Sequence, residues 1–201
     1  MYTVGSIWNR ELYTGMRDEI KRYVRYEKQE GEYVPLGDNA IVVRKPDEDF
    51  KLEVFPCVSL YIYNQIPNTL RQERSDTILE VHGAKAKAKK PPVKFDVSMY
   101  VDFWGKSQSD IDIMTSSWLA GHYRQFNLSL LDSEGKQRSV NCLRNGSIKK
   151  SDQLSGDKRL YHTIIPYRMW VEIDSNIVYD KPVVAKVHVR VSHERKEDSV
   201  E

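Results

Sequence analysis

Residues 93–104 alternate between apolar and polar side chains, and this alternation constrains the fold more strongly than any other feature of the sequence. One register carries Val, Phe, Val, Met, Val and Phe, and the other carries Lys, Asp, Ser, Tyr and Asp. Strict period-two alternation of this length predicts a long β-strand that buries one of its faces.

Two amphipathic helices are predicted on either side of this strand. The first runs from Ser6 to about Arg25, and the charged run that follows ends it, with Gly31 as the breaker. Its apolar residues recur every fourth position: Trp8, Leu12, Met16, Ile20 and Val24. The second helix begins at Ser107, because Asp110 stands three residues further on in a capping-box arrangement.

The remaining regular segments favour strands. Predicted strands cover residues 39–44, 55–64, 70–75, 77–82, 127–131, 137–143, 160–173 and 183–191. Pro166 implies an edge or a bulge in its strand, and residues 149–158 are polar and expected to be mobile. The strands follow one another without regular βαβ alternation. The predicted fold is therefore α+β, a mainly antiparallel sheet with two helices packed on one face and a long β-hairpin or loop excursion.

The length and composition are typical of one domain. The chain has 201 residues, 40% of them hydrophobic, so a sizeable core is expected in a single α+β domain over residues 1–192. Residues 193–201 are strongly charged and are expected to form a disordered tail. No stretch approaches the roughly 18 apolar residues of a membrane span, and the N-terminus lacks the apolar block of a signal peptide, so a cytoplasmic protein is expected.

The sequence shows no pattern typical of a catalytic or metal site. It has no HExxH motif, no nucleophile elbow and no phosphate-binding loop. The histidines do not pair with cysteines at zinc-ligand spacing, and Cys57 and Cys142 are expected to be buried as small apolar residues. We therefore predict a protein that is not an enzyme, with no catalytic residue, no metal and no cofactor.

A basic segment of low complexity, residues 83–92, precedes the long strand. Its two prolines stop any helix, so an exposed loop is expected there. The candidate binding residues are its lysines and the next one along the chain: Lys85, Lys87, Lys89, Lys90 and Lys94. They could contact a neighbouring subunit, contact DNA, or simply keep a hairpin tip soluble. The net charge of +2 argues against a dedicated nucleic-acid binder.

Aromatic residues are frequent in the predicted strands and the second helix. Core packing explains most of them. Tyr63 and Tyr100 fall on the polar register of their strands, so both are interface candidates, since tyrosine supplies a large contact area with few rotatable bonds.

The order of these features resembles phage tail-terminator proteins and their relatives at the head–tail junction of tailed phages and in contractile injection machines. The similarity begins with an N-terminal helix ahead of a short strand and a Pro-x-Val-x-Leu strand at residues 56–60. An Asn-x-x-Arg-Gln stretch follows at residues 68–72. The strand that begins with Pro91 and Pro92 then leads into a polar turn and the helix at Ser107.

The resemblance implies a structural virion protein at the head–tail junction, assembled in the host cytoplasm. It would form a homo-oligomer, usually a hexameric ring, that caps the tail tube and joins it to the head connector or a stopper protein. The implied partners include the tail tube, the sheath and genomic DNA in the lumen, and no membrane.

Three alternatives remain open at this point. One is another tail or neck component, such as a stopper, tail-completion or baseplate protein. The second is a DNA-binding module that uses the lysines of residues 85–90, with a strongly salt-dependent affinity. The third is a small enzyme whose site has no recognisable motif, which would require a concave pocket that gathers titratable groups.

Overall fold

A mainly antiparallel sheet of eight strands forms the centre of the molecule. The structure is a computed structural model that describes residues 7–43, 54–72, 75–82, 85–155, 158–173 and 178–182. These residues form two α-helices, α1 (Asn9–Tyr23) and α2 (Gln108–His122), together with thirteen strands. The strands are β1 (Arg25–Gln29), β2 (Glu32–Pro35), β3 (Ile41–Val43), β4 (Cys57–Pro67), β5 (Thr77–His82), β6 (Lys85–Lys89), β7 (Val93–Gly105), β8 (Gln125–Leu131), β9 (Gln137–Arg144), β10 (Lys149–Lys150), β11 (Gln153–Ser155), β12 (Lys158–Ile173) and β13 (Val178–Pro182).

The central sheet has the order β3-β4-β7-β12-β9-β8, and β10 and β11 pair with β12. All of its pairs are antiparallel except β3 with β4. Two smaller sheets are separate from it: β1 pairs with β2, and β6 lies between β5 and β13. The predicted α+β class with a mainly antiparallel sheet is confirmed.

The alternating strand forms β7 and lies inside the central sheet. β7 pairs with β4 along one edge and with β12 along the other. Its apolar register is buried, with Val97, Met99, Val101 and Phe103 wholly inaccessible to solvent. The buried face extends from β7 to β12, where Ile165 lies opposite Val101 and Tyr167 lies opposite Met99. One contiguous apolar core results.

Both helices pack against strands of this sheet. Leu12, Met16 and Ile20 of α1 are wholly buried, as their spacing predicts. A Cβ atom at Gly15 would lie only 3.0 Å from the Cβ of Leu130, so the small residue lets α1 approach β8 closely. In α2, the indole Nε1 of Trp118 donates a hydrogen bond of 2.9 Å to the hydroxyl of Tyr167 in β12.

The start of α2 has the predicted capping box. The backbone N–H of Asp110 donates to Ser107 Oγ, and the backbone N–H of Ser107 donates to Asp110 Oδ2, each at 3.1 Å. The first helix is shorter than predicted, because it ends at Tyr23 and Arg25 already begins β1. Gly31 therefore terminates no helix. It has a φ of 79° in the turn between β1 and β2, a conformation that glycine adopts without strain.

Two predicted assignments are wrong, one of a loop and one of a strand. The basic segment is not a loop over residues 85–89, because these residues form β6 and pair on both sides. The described residues of the predicted strand 70–75 lie outside any strand, and Leu70 is 97% exposed. An isolated apolar side chain there has no sheet face to join.

The polar segment 149–158 is also more ordered than expected. It contributes β10 and β11, which both pair with β12. Backbone hydrogen bonds to a long neighbouring strand hold these short strands in place without an apolar side-chain pattern. The predicted strand 183–191 and the predicted tail 193–201 lie outside the described residues, and the single-domain boundary stays a prediction.

Pro166 lies inside β12 opposite Tyr100, in unbroken register with β7, and the ladder is interrupted on the other side of β12. β9 ends at Arg144 and β10 begins only at Lys149, which leaves a gap beside the proline. The carbonyl oxygen of Pro166 accepts a hydrogen bond of 2.9 Å from the Asn145 N–H in that gap. Because the nitrogen and the carbonyl of one strand residue point to the same side, the missing N–H falls where no ladder bond is needed.

Candidate assembly surfaces

The three-stranded sheet of β5, β6 and β13 is the main feature outside the central sheet, and we call it the arm. Its strand order is β5-β6-β13. The strands next to them in the sequence, β4, β7 and β12, have the same order in the central sheet. In the described part of the chain, the strands of the arm pair only with one another. A sheet of three strands needs an apolar face or a packing partner to be stable on its own.

In β5 and β6 the arm has one charged and one more apolar face, although Lys181 of β13 lies opposite Ala86 on the more apolar face and pairs with Asp76 at 2.9 Å. Within β6, the lysines point to the charged face, and Ala86 and Ala88 are buried on the other. Val81 lies opposite Ala86 and Ile78 opposite Ala88, so their side chains share the apolar face. Ile78 is 48% and Val81 58% exposed.

Four of the five predicted lysines lie together in or beside β6. Lys85, Lys87 and Lys89 belong to the strand, and exposed Lys90 follows it. Acidic residues are interspersed among them: Lys87 Nζ is 3.6 Å from Glu80 Oε2, and Asp180 is the partner of Lys87 on the other side. This mixed charge pattern is less favourable for DNA phosphates than an uninterrupted basic surface.

Lys94 is separated from the other lysines. It lies in β7, where its side chain is only 13% exposed and its Nζ is 3.5 Å from Glu172 Oε1 of β12. The structure therefore assigns Lys94 to the central sheet, and its position argues for a structural ion pair beside the base of the arm.

The Asn-x-x-Arg-Gln stretch ties the base of the arm to the central sheet. Asn68 Nδ2 donates to both carboxylate oxygens of Asp96, at 2.9 and 3.0 Å. Gln72 binds the backbone at the start of β7. Its Nε2 donates to the Pro92 carbonyl at 2.8 Å, and its Oε1 accepts from the Lys94 N–H at 3.2 Å. The guanidinium of Arg71 lies 5.2 Å from the centre of the Trp170 ring. These residues make the base of the arm a fixed junction.

Asp96 is the charged centre of this junction. Its partial burial disfavours ionisation, but hydrogen bonds from Asn68 and Arg168 outweigh that effect and hold the pKa of Asp96 below its ordinary value. The carboxylate is thus ionised at neutral pH and links β7 to β12 through Arg168.

Tyr63 and Tyr100 meet on the more polar face of β4 and β7. Their rings are stacked with centroids 4.1 Å apart, and Tyr61 lies 6.4 Å from Tyr100. Tyr63 is 36% exposed, and it falls at the register shift between Ile62 and Asn64, which brings its ring onto Tyr100. Burial, and then the neighbouring Tyr63, raise the pKa of Tyr100. The structure places the two predicted interface residues in one stacked pair.

A buried histidine, His122, ends α2 and lies on the apolar face of that helix, between α1 and β8. His122 stacks on Trp118 at 4.0 Å, and its Nε2 is 3.3 Å from Glu19 Oε2 of α1. Tyr23 and Phe126 meet the imidazole edge-on. Burial lowers the pKa of His122, against the opposing attraction of Glu19. This site stabilises helix packing and has little access to solvent, because His122 is only 3% exposed.

Ser59, Asp102 and His162 lie close together on three adjoining strands, and they are the residue types of a hydrolase triad. Ser59 is paired with Asp102, and His162 with Trp104. The Ser59 hydroxyl accepts a hydrogen bond from Trp104 Nε1 at 3.1 Å, and the nearest His162–Asp102 approach is 3.7 Å. All three residues are at most 5% exposed. A triad serine must bond to its histidine and reach a substrate, so this arrangement is unsuited to acyl transfer.

Two further kinds of site were considered from the sequence, a reactive cysteine and a metal site. Cys57 and Cys142 are buried and free, and burial raises the pKa of each thiol to about 12, as expected of packing residues. Within the described residues, no three His, Cys, Asp or Glu side chains gather in a metal-binding group. In the same part of the chain, no helix is long and apolar enough to cross a membrane.

The chain was compared with known proteins and structures. No protein-family profile matches it, and no curated protein matches it. Among solved structures, it is similar to the sheath/tube terminator of an extracellular contractile injection system, PVC, in the extended state. The two are 14% identical with a TM-score of 0.49, and the match covers 98% of this chain and 67% of the terminator.

Proposed function

We propose that this chain is a structural, non-enzymatic component of a phage-tail-like assembly, a tail terminator that forms a ring and caps the tail tube. The arm is the observation that carries the proposal. It is a three-stranded sheet that exposes half of Ile78, Leu79 and Val81 and pairs with no other described strand. Such a surface is stabilised when a neighbouring subunit covers it.

We infer that α1 and α2 pack on one face of the central sheet, which leaves for assembly the part of the other face around Tyr63 and Tyr100. The contacts of Gly15 with Leu130 and of Trp118 with Tyr167 support this arrangement. The stacked Tyr63 and Tyr100 then lie on the face that is available to a neighbour. Tyrosine and arginine are enriched where protein interfaces gain most of their affinity, and Arg168 lies two residues from the proline opposite Tyr100.

The ring would be a homo-oligomer, as the sequence resemblance implies, with six subunits as the usual number. One end would contact the tail tube and the sheath, and the other a head connector or stopper protein. A location in the virion tail or neck follows from that role. Genomic DNA would pass through the lumen without specific contacts, since acidic residues interrupt the lysines of the arm.

The experiment is a capping assay with the tail-tube protein encoded in the same genome. Tube protein is polymerised with and without the purified chain, and tube lengths and ends are measured by electron microscopy. We expect shorter tubes with a ring at one end. Long, uncapped tubes that do not retain the chain in co-sedimentation would overturn the proposal.

A pair of variants tests whether the arm is responsible. Val81→Ser removes an exposed apolar side chain from the arm, and Leu131→Ser removes one of similar exposure from β8. We expect capping to weaken in the first variant and to be retained in the second. Equal capping by all three proteins would contradict a role for the arm.

A further inference from the structure

The two helices end beside each other, and their ends expose a group of arginine and tyrosine side chains. Tyr23 is the last residue of α1, and its ring lies against Gly121 of α2, where a Cβ atom would be only 2.9 Å from the ring. Tyr123 directly follows α2. Tyr23 is 36% and Tyr123 65% exposed. We call the side chains of Arg22, Tyr23, Tyr123, Arg124 and Arg144 the arginine–tyrosine surface.

The arginines of this surface lie against its tyrosine rings. The guanidinium of Arg144, at the end of β9, is 4.7 Å from the centre of the Tyr123 ring, and that of Arg22 is 5.5 Å from the centre of the Tyr23 ring. Arg124 is exposed beside them, and its carbonyl accepts a hydrogen bond of 2.8 Å from the Arg144 N–H. The positive charges therefore have defined positions around the helix ends.

These three arginines have no acidic partner. Exposed Arg168, by comparison, forms an ion pair with Asp96 of the neighbouring strand. Within the part of the chain that the structure describes, no carboxylate forms an ion pair with Arg22, Arg124 or Arg144. The surface thus carries positive charge that the folded chain leaves uncompensated.

The carboxylates that precede Arg22 in α1 are directed elsewhere. Asp18 and Glu19 lie about one turn before it. Asp18 lines a groove beside Leu130 of β8. The side chain of Glu19 is only 14% exposed, and its Oε2 is 3.3 Å from His122 Nε2. Neither carboxylate is shared with the arginines of the surface.

Other residues already serve the helix ends. A helix C-terminus carries partial negative charge and unpaired carbonyls, which attract cations and donors. At the end of α1, the Arg25 guanidinium donates to the carbonyls of Lys21 and Val24 at 3.3 and 3.0 Å. At the end of α2, the His122 carbonyl accepts from the Tyr167 hydroxyl at 3.2 Å. Helix capping therefore does not require the arginines of the surface.

We propose that the arginine–tyrosine surface binds an acidic segment of a partner protein, with Arg124 and Arg144 paired to its carboxylates and Tyr123 packed against its chain. A guanidinium can bind a carboxylate through two parallel hydrogen bonds, and tyrosine and arginine are enriched where interfaces gain most of their affinity. The uncompensated positive charge favours an acidic partner. This binding site adds to the proposed structural role and depends on neither the ring nor the arm.

A nucleic acid fits this surface less well. Single strands bind by stacking bases on open aromatic faces, and Arg22 and Arg144 each cover one face of a tyrosine ring. Duplex DNA is held by many phosphate contacts, and three arginines offer few. A short acidic peptide requires only a few such contacts.

Fluorescence anisotropy with synthetic probes tests the proposal. The first probe is a labelled twelve-residue peptide that alternates Glu with Gly, the second has Gln in place of each Glu, and the third is a twelve-nucleotide single strand of DNA. The wild type is compared with a double variant, Arg124→Gln with Arg144→Gln. A control variant, Arg10→Gln with Lys149→Gln, removes two exposed cations that also form no ion pair with a described carboxylate.

We expect the wild type to bind the Glu peptide, with an affinity that falls as salt is added, and not the Gln peptide. The loss of two contacts to charged groups should weaken binding by the double variant about tenfold or more, and the control variant should match the wild type. Equal affinities of the wild type and the double variant, no binding by the wild type, or tighter binding of the DNA through the same arginines would each overturn the proposal.

Urea unfolding of the same proteins separates binding from stability. The double variant should unfold at the same urea concentration as the wild type, because its arginines form no ion pair within the described chain. Affinities are measured where circular dichroism shows each protein to be fully folded, so a lost affinity is not a lost fold. A destabilised double variant that keeps the wild-type affinity would show that the arginines serve only the fold, and the binding site would be refuted.

Discussion

At the scale of single residues, His122 shows how burial and a neighbouring charge compete. The imidazole is packed between Trp118, Tyr23 and Phe126, and Glu19 approaches its Nε2 to 3.3 Å. The cost of desolvating a cation outweighs the attraction of the carboxylate, and the pKa of His122 is lowered. The neutral form is therefore the one that the folded protein favours.

This lowered pKa predicts a pH dependence of stability. In the unfolded chain, His122 has the ordinary pKa of about 6.5 and gains a proton below that pH, whereas the folded protein resists protonation. The free energy of unfolding should thus fall as the pH decreases through about 6.5 toward the folded pKa. Urea unfolding of the wild type and of His122→Gln at several pH values checks this.

The substitution His122→Gln should flatten that part of the pH profile, and His82→Gln, at an exposed histidine of the arm, should leave it unchanged. Identical profiles for the wild type and His122→Gln would show that this histidine is not the source.

The hydroxyl of Tyr167 is the second residue-scale test. It accepts from Trp118 Nε1 at 2.9 Å and donates to the His122 carbonyl at 3.2 Å, in the core. Tyr167→Phe leaves both groups buried without this partner, so the free energy of unfolding should fall by about 1–3 kcal/mol. Chemical denaturation measures the loss. Tyr33→Phe, at an exposed tyrosine, should change it far less, and equal losses would contradict the assignment.

At the scale of elements, the base of the arm depends on side chains of the turn between β4 and β5. Gln72 replaces backbone pairing there, because its amide bonds to the Pro92 carbonyl and the Lys94 N–H. Proline cannot donate a ladder bond, so a side chain is needed where residues 91 and 92 interrupt the strand path.

Gln72→Ala should therefore loosen the arm and leave the central sheet intact. We expect faster amide hydrogen exchange in β5 and β6, and unchanged exchange in the middle of β7 and β12. Gln65→Ala, at an exposed position of β4, is the matched control and should change neither region. Slower exchange in the arm, or faster exchange throughout the molecule, would contradict this role of Gln72.

At the scale of the whole molecule, charge is balanced in total and on the charged face of the arm. The net charge is +2, and Lys85, Lys87 and Lys89 of the arm share their face with Glu80 and Asp180. We expect the isolated protein to bind little duplex DNA even at low salt. The affinity should hardly change when serine replaces Lys85, Lys87, Lys89 and Lys90. An electrophoretic mobility assay over a salt series measures it, and tight, salt-sensitive binding lost on replacement would favour a DNA-binding module instead.

The sequence by itself determined the elements whose signals are local. The alternation of residues 93–104 marked β7 as a strand with one buried face, and Ser107 with Asp110 marked the start of α2, because side-chain periodicity and capping act within a few residues. The α+β class followed from the order of such elements.

Tertiary structure decided what depends on partners distant in the sequence. Residues 85–89 alternate lysine with alanine, a pattern with no strong strand preference, and they form β6 because residues 77–82 and 178–182 pair with them on either side. The pairs His122 with Glu19 and His162 with Asp102 likewise join separate segments, and so their spacing carries no signal. Pairing and burial are properties of the folded chain. They determine that residues 85–89 form a strand of the arm and that the two histidines are buried beside carboxylates.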